Sequence, residues 1–189
     1  GVVVSGGALG VDTAAHLGAL EGGGPTTVVL GTGLDIIYPE RNAGLFAAIV
    51  ERGGALVSMF PMGATVRRGM FLRRNQLIAA LAEVTVVVEA GFKSGAINTA
   101  SQALDLGRVV AAVPGQVDSP RSAGCNGLIR DGAQVITDVE DLLGLYGLST
   151  RTAAPDPRVD GESARAPHVP TVSSSDQQRL LAMALVRPC

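Results

Sequence analysis

Gly1-Val2-Val3-Val4-Ser5-Gly6-Gly7-Ala8-Leu9-Gly10-Val11-Asp12-Thr13-Ala14-Ala15-His16 decides the fold. Val2, Val3 and Val4 form a β-branched apolar run with no polar alternation, the pattern of a strand covered on both faces. A glycine-rich turn follows. A helix-length segment then begins with Asp12 near its start, where an acidic side chain favours the helix dipole. Strand, glycine turn and helix make half of a βαβ unit, because parallel strands need a crossover between them.

The same rhythm repeats along the chain. Apolar runs at 2–4, 27–30, 55–57, 84–88, 109–113 and 134–136 read as strands. The segments 11–21, 43–51, 71–81, 96–106, 122–130 and 139–145 read as helices. The expected class is α/β, an extended Rossmann-like parallel sheet flanked by helices. With 47% hydrophobic residues but 3% aromatics and no Trp, the core must rest on Val, Leu, Ile and Ala. This domain is expected over 1–148, followed by a Pro/Ser-rich linker over 149–175 containing Pro155, Pro157, Pro167 and Pro170. The stretch 176–189 reads as the start of a helical domain. The chain opens directly on a strand and closes inside a helix-like pattern, so the expectation is a fragment lacking the N-terminal part of its sheet. Cys125 and Cys189 make no disulfide framework, which suits a reducing cytoplasm. No apolar run approaches the ~20 residues of a membrane helix. The expectation is a cytoplasmic protein without membrane contact.

Charge is unevenly placed. The 189 residues carry a formal charge of -2, yet the window 52–82 holds Arg52, Arg67, Arg68, Arg73 and Arg74 and no Asp or Glu. A basic island in an acidic chain points to an anionic partner held in one place, with phosphate the first candidate.

In a parallel sheet the loops after the strands share one edge, and ligands bind there. Ser5-Gly6-Gly7-Ala8-Leu9-Gly10 follows the first strand; it reads either as a phosphate-approaching turn or as a tight strand-to-helix corner. Gly31-Thr32-Gly33 and the Tyr38-Pro39 turn follow the second. The basic island follows the third, with Arg73 and Arg74 near a helix start, where cations oppose the dipole unless an anion is bound. Phe71 reads two ways, as a surface on which a base stacks or as one residue of a core stripe with Ile78 and Leu81. Lys93-Ser94-Gly95 follows the fourth strand and combines a cation, a hydroxyl and a helix N-terminus. Arg121 follows the fifth. Arg52 reads as a helix C-terminal charge. His16, His168 and Cys125 form no catalytic or metal set, no Walker A sequence is present, and no cofactor is expected. Together the loops read as an extended phosphate-tracking groove, with no persuasive catalytic constellation beside it. Joint replacement of Arg73 and Arg74 by Glu is expected to abolish binding and leave the fold intact.

The ordered motifs Ser5–His16, Leu30–Asp35, Tyr38-Pro39, Phe71–Asn75, Val88–Ala90, Lys93–Ala96, Val113–Gly115 and Gly124–Asn126 closely resemble those of the bacterial DNA-processing family DprA, also called Smf. The resemblance runs from Gly1 to about Leu145. It implies an extended Rossmann fold, binding of single-stranded DNA, loading of the recombinase RecA in natural transformation, and a homodimer. Members often carry a C-terminal winged-helix-like domain, which fits the stretch after the linker. Leu9 stands where many members have Arg or Lys. Motif matching puts the DNA contacts on Ser5, Gly6, Gly7, Arg68, Gly69, Phe71, Arg73, Arg74, Asn75, Lys93, Ser94 and Gly95; Arg121 is added for its place on the same edge. Two rivals come from other classes. One is a nucleoside monophosphate phosphoribohydrolase of the lysine-decarboxylase-like Rossmann group, whose Pro-Gly-Gly-x-Gly-Thr signature is missing here. The other is a dinucleotide-dependent oxidoreductase, for which no acidic residue stands clearly at the end of the second strand.

Overall fold

The computed structural model describes residues 1–67 and 69–147, together with the backbone of Leu185–Val186. Six strands alternate with helices: β1 (Val2–Ser5), β2 (Thr26–Leu30), β3 (Ala55–Ser58), β4 (Val84–Val87), β5 (Val109–Ala112) and β6 (Gln134–Val135). The helices are α1 (Val11–Glu21), α2 (Ala43–Glu51), α3 (Met70–Leu81), α4 (Gly95–Asp105), α5 (Ala123–Arg130) and α6 (Val139–Leu145), with a short 3-10 turn at Glu40–Asn42. A two-residue strand, β7 (Leu185–Val186), completes the order β3-β2-β1-β7-β4-β5-β6.

β1, β2 and β3 pair in parallel, as do β4, β5 and β6. β7 runs antiparallel to both β1 and β4. Those two strands therefore point the same way, and the six form one directional set. The α/β class is as expected; the departure is β7, which separates the two parallel halves. Leu185–Val186 was expected to belong to a helical stretch and forms a strand instead. The expected linker 149–175 and the rest of 176–189 lie outside the described residues.

Burial explains the unbroken apolar strands. Val28, Val29 and Leu30 are all fully buried, since α-helices cover both faces of β2. Ala100 and Ala103 of α4 and Ala112 of β5 are fully buried in one cluster, and their small side chains let helix and sheet approach closely. Phe46 and Ile49 of α2 supply the bulk against β2, each contributing about 1.5–3 kcal/mol of apolar burial.

One polar chain joins three elements inside this core. Thr26 Oγ1 donates to the Val3 carbonyl at 2.9 Å, so His16 Nδ1–H is the donor in its 2.7 Å bond to that hydroxyl. His16 is fully buried and its Nε2 has no partner. Burial pulls its pKa down to about 4, with the nearby Asp12 carboxylate opposing. His16 is a neutral core residue.

Candidate nucleic-acid interface

Because β1 to β6 share a direction, the loops at their carboxyl ends share an edge, and the sequence-predicted site residues among the described residues lie along it. α3 forms one wall. Gly69, at φ 94°, turns the chain into the helix. Successive residues of an α-helix lie about 100° apart around its axis, so the adjacent Arg73 and Arg74 cannot share a surrounding. Arg73 is exposed, its guanidinium carbon 6.0 Å from the centre of the Phe60 ring. Arg74 is 7% exposed and turns inward. Its Nη1 donates to the carbonyls of Gly6 and Val29, both at 2.6 Å, and its Nε to Asn75 Oδ1 at 3.2 Å. Burial lowers the Arg74 pKa and Asp12 opposes the shift.

This arrangement changes the reading of the first loop. Gly6 and Gly7 are buried, and a Cβ on Gly6 would fall inside the Arg74 guanidinium. The Gly7 carbonyl accepts from Asn42 Nδ2 at 2.8 Å, and the Ala8 N–H donates to Asp12 Oδ2 at 3.0 Å. Ser5, Gly6 and Ala8 line a hollow on this edge, while the Gly6 and Gly7 carbonyls and the Ala8 N–H tie the turn to the protein. Arg74 is the strut that holds it, not an exposed cation.

Phe71 fits neither of its two readings alone. It is half-buried, and its ring lies over Gly31, where a Cβ would sit 2.7 Å from Phe71 Cδ1. The Tyr38 ring stands 5.8 Å away, tilted by 51°, and the Arg74 guanidinium 5.7 Å away. Ile78 is buried, but Leu81 is exposed, so the expected stripe is broken.

Asn75 connects this wall to the next. It is buried, and its Nδ2 donates to the Gly95 carbonyl at 3.2 Å and to Asn98 Oδ1 at 3.3 Å. Gly95 opens α4, and Ser94 caps that helix by accepting from the Ile97 N–H at 3.3 Å. Lys93, just before the cap, is exposed. Arg121 is exposed on the loop after β5, its Nε 3.7 Å from Glu89 Oε1; surface pairs of this kind contribute little. Arg68 lies outside the described residues.

Two hollows open on this side. One, of ≈ 290 Å³, lies between β1 and β4 over Arg74, Asn75 and Ile78; the other, of ≈ 490 Å³, lies between α1 and the loops after β4 and β5, beside Arg121. Sequence reasoning missed three aromatic neighbours on the same edge: Phe60 beneath Arg73, Tyr38 against Phe71, and Phe92 beside Lys93. The signal was available, since the chain has only four Phe and two Tyr. Among the described residues no helix is long and apolar enough to cross a membrane, and no group of three or more His, Cys, Asp and Glu could hold a metal ion.

A directional α/β sheet with helix N-termini and exposed cations along its carboxyl edge defines a Rossmann-like α/β protein. The chain belongs to the family described as DNA recombination-mediator protein A, whose family model matches residues 1–147. It is 49% identical over 156 residues to a protein of Mycobacterium tuberculosis named as a DNA processing protein DprA, a match covering 82% of this chain and 40% of that protein. It is 44% identical over 141 residues to protein Smf of Escherichia coli, covering 75% of this chain and 38% of that protein. Among solved structures, DprA of Streptococcus pneumoniae superposes with a TM-score of 0.70 at 40% identity, covering 76% of this chain and 50% of that one. DprA of Helicobacter pylori, determined for its single-stranded DNA binding mode, gives a TM-score of 0.69 at 32% identity, covering 77% of this chain and 65% of that one. The chain spans about two fifths of the length of the first two relatives.

Proposed function

We propose that this chain binds single-stranded DNA along the carboxyl edge of its sheet, by phosphate contacts with little sequence readout. The observation that carries the reading is the placement of Arg73 and Lys93 as exposed cations beside the N-termini of α3 and α4, two helices joined through Asn75. Arg67, exposed ahead of α3, and Arg121 extend the same cationic edge. Such an edge follows a polymer backbone better than it encloses one nucleotide. The binding mode described for the Helicobacter pylori relative supports the choice of single strands. In this reading Arg68, Gly69, Phe71, Arg73, Lys93, Ser94, Gly95 and Arg121 face the DNA, while Ser5, Gly6, Gly7, Arg74 and Asn75 position those that touch it. As part of a DprA/Smf protein, the chain protects incoming DNA and loads RecA in natural transformation, acting as a homodimer in the cytoplasm and as a binder rather than an enzyme.

The test is a titration of single- and double-stranded oligonucleotides of equal length over a range of salt. Neutralising about four phosphates predicts a slope of log affinity against log salt near -3, with single strands preferred. A salt-independent affinity, or equal affinity for duplex, overturns the reading.

A further inference from the structure

We infer that Phe92 is a base-stacking platform, an apolar contact in this groove separate from its phosphate contacts; the inference rests on the single-strand reading above. The chain has six aromatic side chains. Phe46 and Tyr146 are buried in the core. The other four, Tyr38, Phe60, Phe71 and Phe92, stand on loops or helix starts along the carboxyl edge. Three of these are engaged: Tyr38 and Phe71 with each other, and Phe60 with Arg73. Phe92 is 71% exposed.

That exposure does not come from a loose loop. The Ser94 N–H donates to the Gly91 carbonyl at 3.2 Å, Ser94 caps α4, and the Gly124 N–H donates to the Ala90 carbonyl at 2.7 Å. The ring therefore projects from a base tied to α4 on one side and α5 on the other. Its neighbour Lys93 is an exposed cation ahead of the α4 N-terminus, so a chain whose phosphate meets Lys93 brings its base within reach of the phenyl face. Charge complementarity of this kind favours a polyanion bearing flat apolar bases over a protein surface. A phenyl face accepts any base, which agrees with binding that reads little sequence.

The experiment compares a short oligothymidylate with an abasic strand of the same length, using the full chain and its Phe92→Leu and Phe92→Trp variants. Phe92→Leu should weaken oligothymidylate binding about tenfold, leaving abasic-strand affinity and the salt slope as in the parent, with an unchanged circular dichroism spectrum. The chain has no Trp, so Phe92→Trp adds a single reporter at the site. Its fluorescence should be quenched by oligothymidylate and not by the abasic strand. Parent-like binding by Phe92→Leu, equal losses on both strands, or no quenching overturns the inference while leaving the phosphate groove standing. If the parent binds neither strand, the single-strand reading falls and this inference falls with it.

Discussion

Arg73 and Arg74 are adjacent in sequence and should respond oppositely to the same change. In Arg74→Met the Gly6 and Val29 carbonyls lose a donor that reaches both at 2.6 Å inside the protein. A buried polar group left unpaired costs about 1–3 kcal/mol. The ≈ 290 Å³ hollow beside Arg74 admits water to part of the site, which argues for the lower half of that range at each carbonyl and about 3 kcal/mol in all. With a urea slope of about 2 kcal/mol/M, the unfolding midpoint should fall by about 1.5 M. Arg73→Met removes an exposed guanidinium stacked on Phe60, worth about 0.5 kcal/mol, and its midpoint should move by no more than about 0.3 M. Binding should divide the other way. Arg73→Met should reduce the salt slope by about 0.7, the share of one phosphate, whereas Arg74→Met, below its lowered midpoint, should keep the parental slope. Urea unfolding followed by circular dichroism, and a salt titration of single-strand affinity, read the two effects separately. An unchanged midpoint in Arg74→Met, or a larger fall in Arg73→Met, would refute the assignment of Arg74 as the internal strut. The same geometry corrects the expectation that joint replacement of both arginines by Glu leaves the fold intact. A carboxylate at position 74 would face two carbonyl oxygens, so loss of binding in that double variant would report unfolding.

Acid should weaken the fold through His16. Its pKa of about 4 in the folded protein lies below its ordinary 6.5, so the unfolded chain binds the extra proton more readily. Stability is then full above about pH 6.5 and is lost as the pH falls toward 4, by roughly 3 kcal/mol over the whole window. Urea midpoints at neutral and acid pH should show this fall, and it should flatten in His16→Gln; an equal acid dependence in that variant refutes the cause. Gly31→Ala places a methyl group 2.7 Å from the Phe71 ring. It should cost about 1–3 kcal/mol of stability and lower single-strand affinity by displacing Phe71, whereas parental values for both would show that the ring moves freely.

Much of the fold is legible because each strand is a short β-branched run and each helix is marked by its flanking turns. The spans of α1, α2 and α6 coincide with the periodic segments 11–21, 43–51 and 139–145. β7 was not legible, since two residues pairing with β1 and β4 from the far end of the sequence leave no local pattern. The buried face of α3 is legible in part, since Ile78 lies on it and Phe71 is half-buried beside it. Arg74, Asn75, Ile78, Ala79 and Ala82 are its buried residues and the one that follows it, recurring at helical spacing. Of Phe71, Ile78 and Leu81, the stripe that is one of the two readings of Phe71, only Leu81 falls off this face. The polar character of Arg74 and Asn75 hid their burial, because a cation on an apolar face is stable only where carbonyls meet it, and those carbonyls belong to strands far away in sequence.

The basic island shows why counted charge and available charge differ. Of its five arginines, Arg52 donates to the Leu20 carbonyl near the end of α1 at 3.3 Å, and Arg74 is enclosed. Arg67 and Arg73 stay exposed beside the groove. The window therefore overstates what α3 can offer a phosphate chain, and in the proposed groove Lys93 and Arg121, outside the island, would supply the rest from the loops after β4 and β5. Arg121 has Glu89 at 3.7 Å as a competing partner. Removing that competitor by Glu89→Gln should raise single-strand affinity at low salt, with the gain shrinking as salt rises, since exposed charges are screened over about 10 Å at 0.1 M. A gain that does not change with salt, or a loss of affinity, would mean that Arg121 lies outside the path of the DNA and that the groove ends at Lys93.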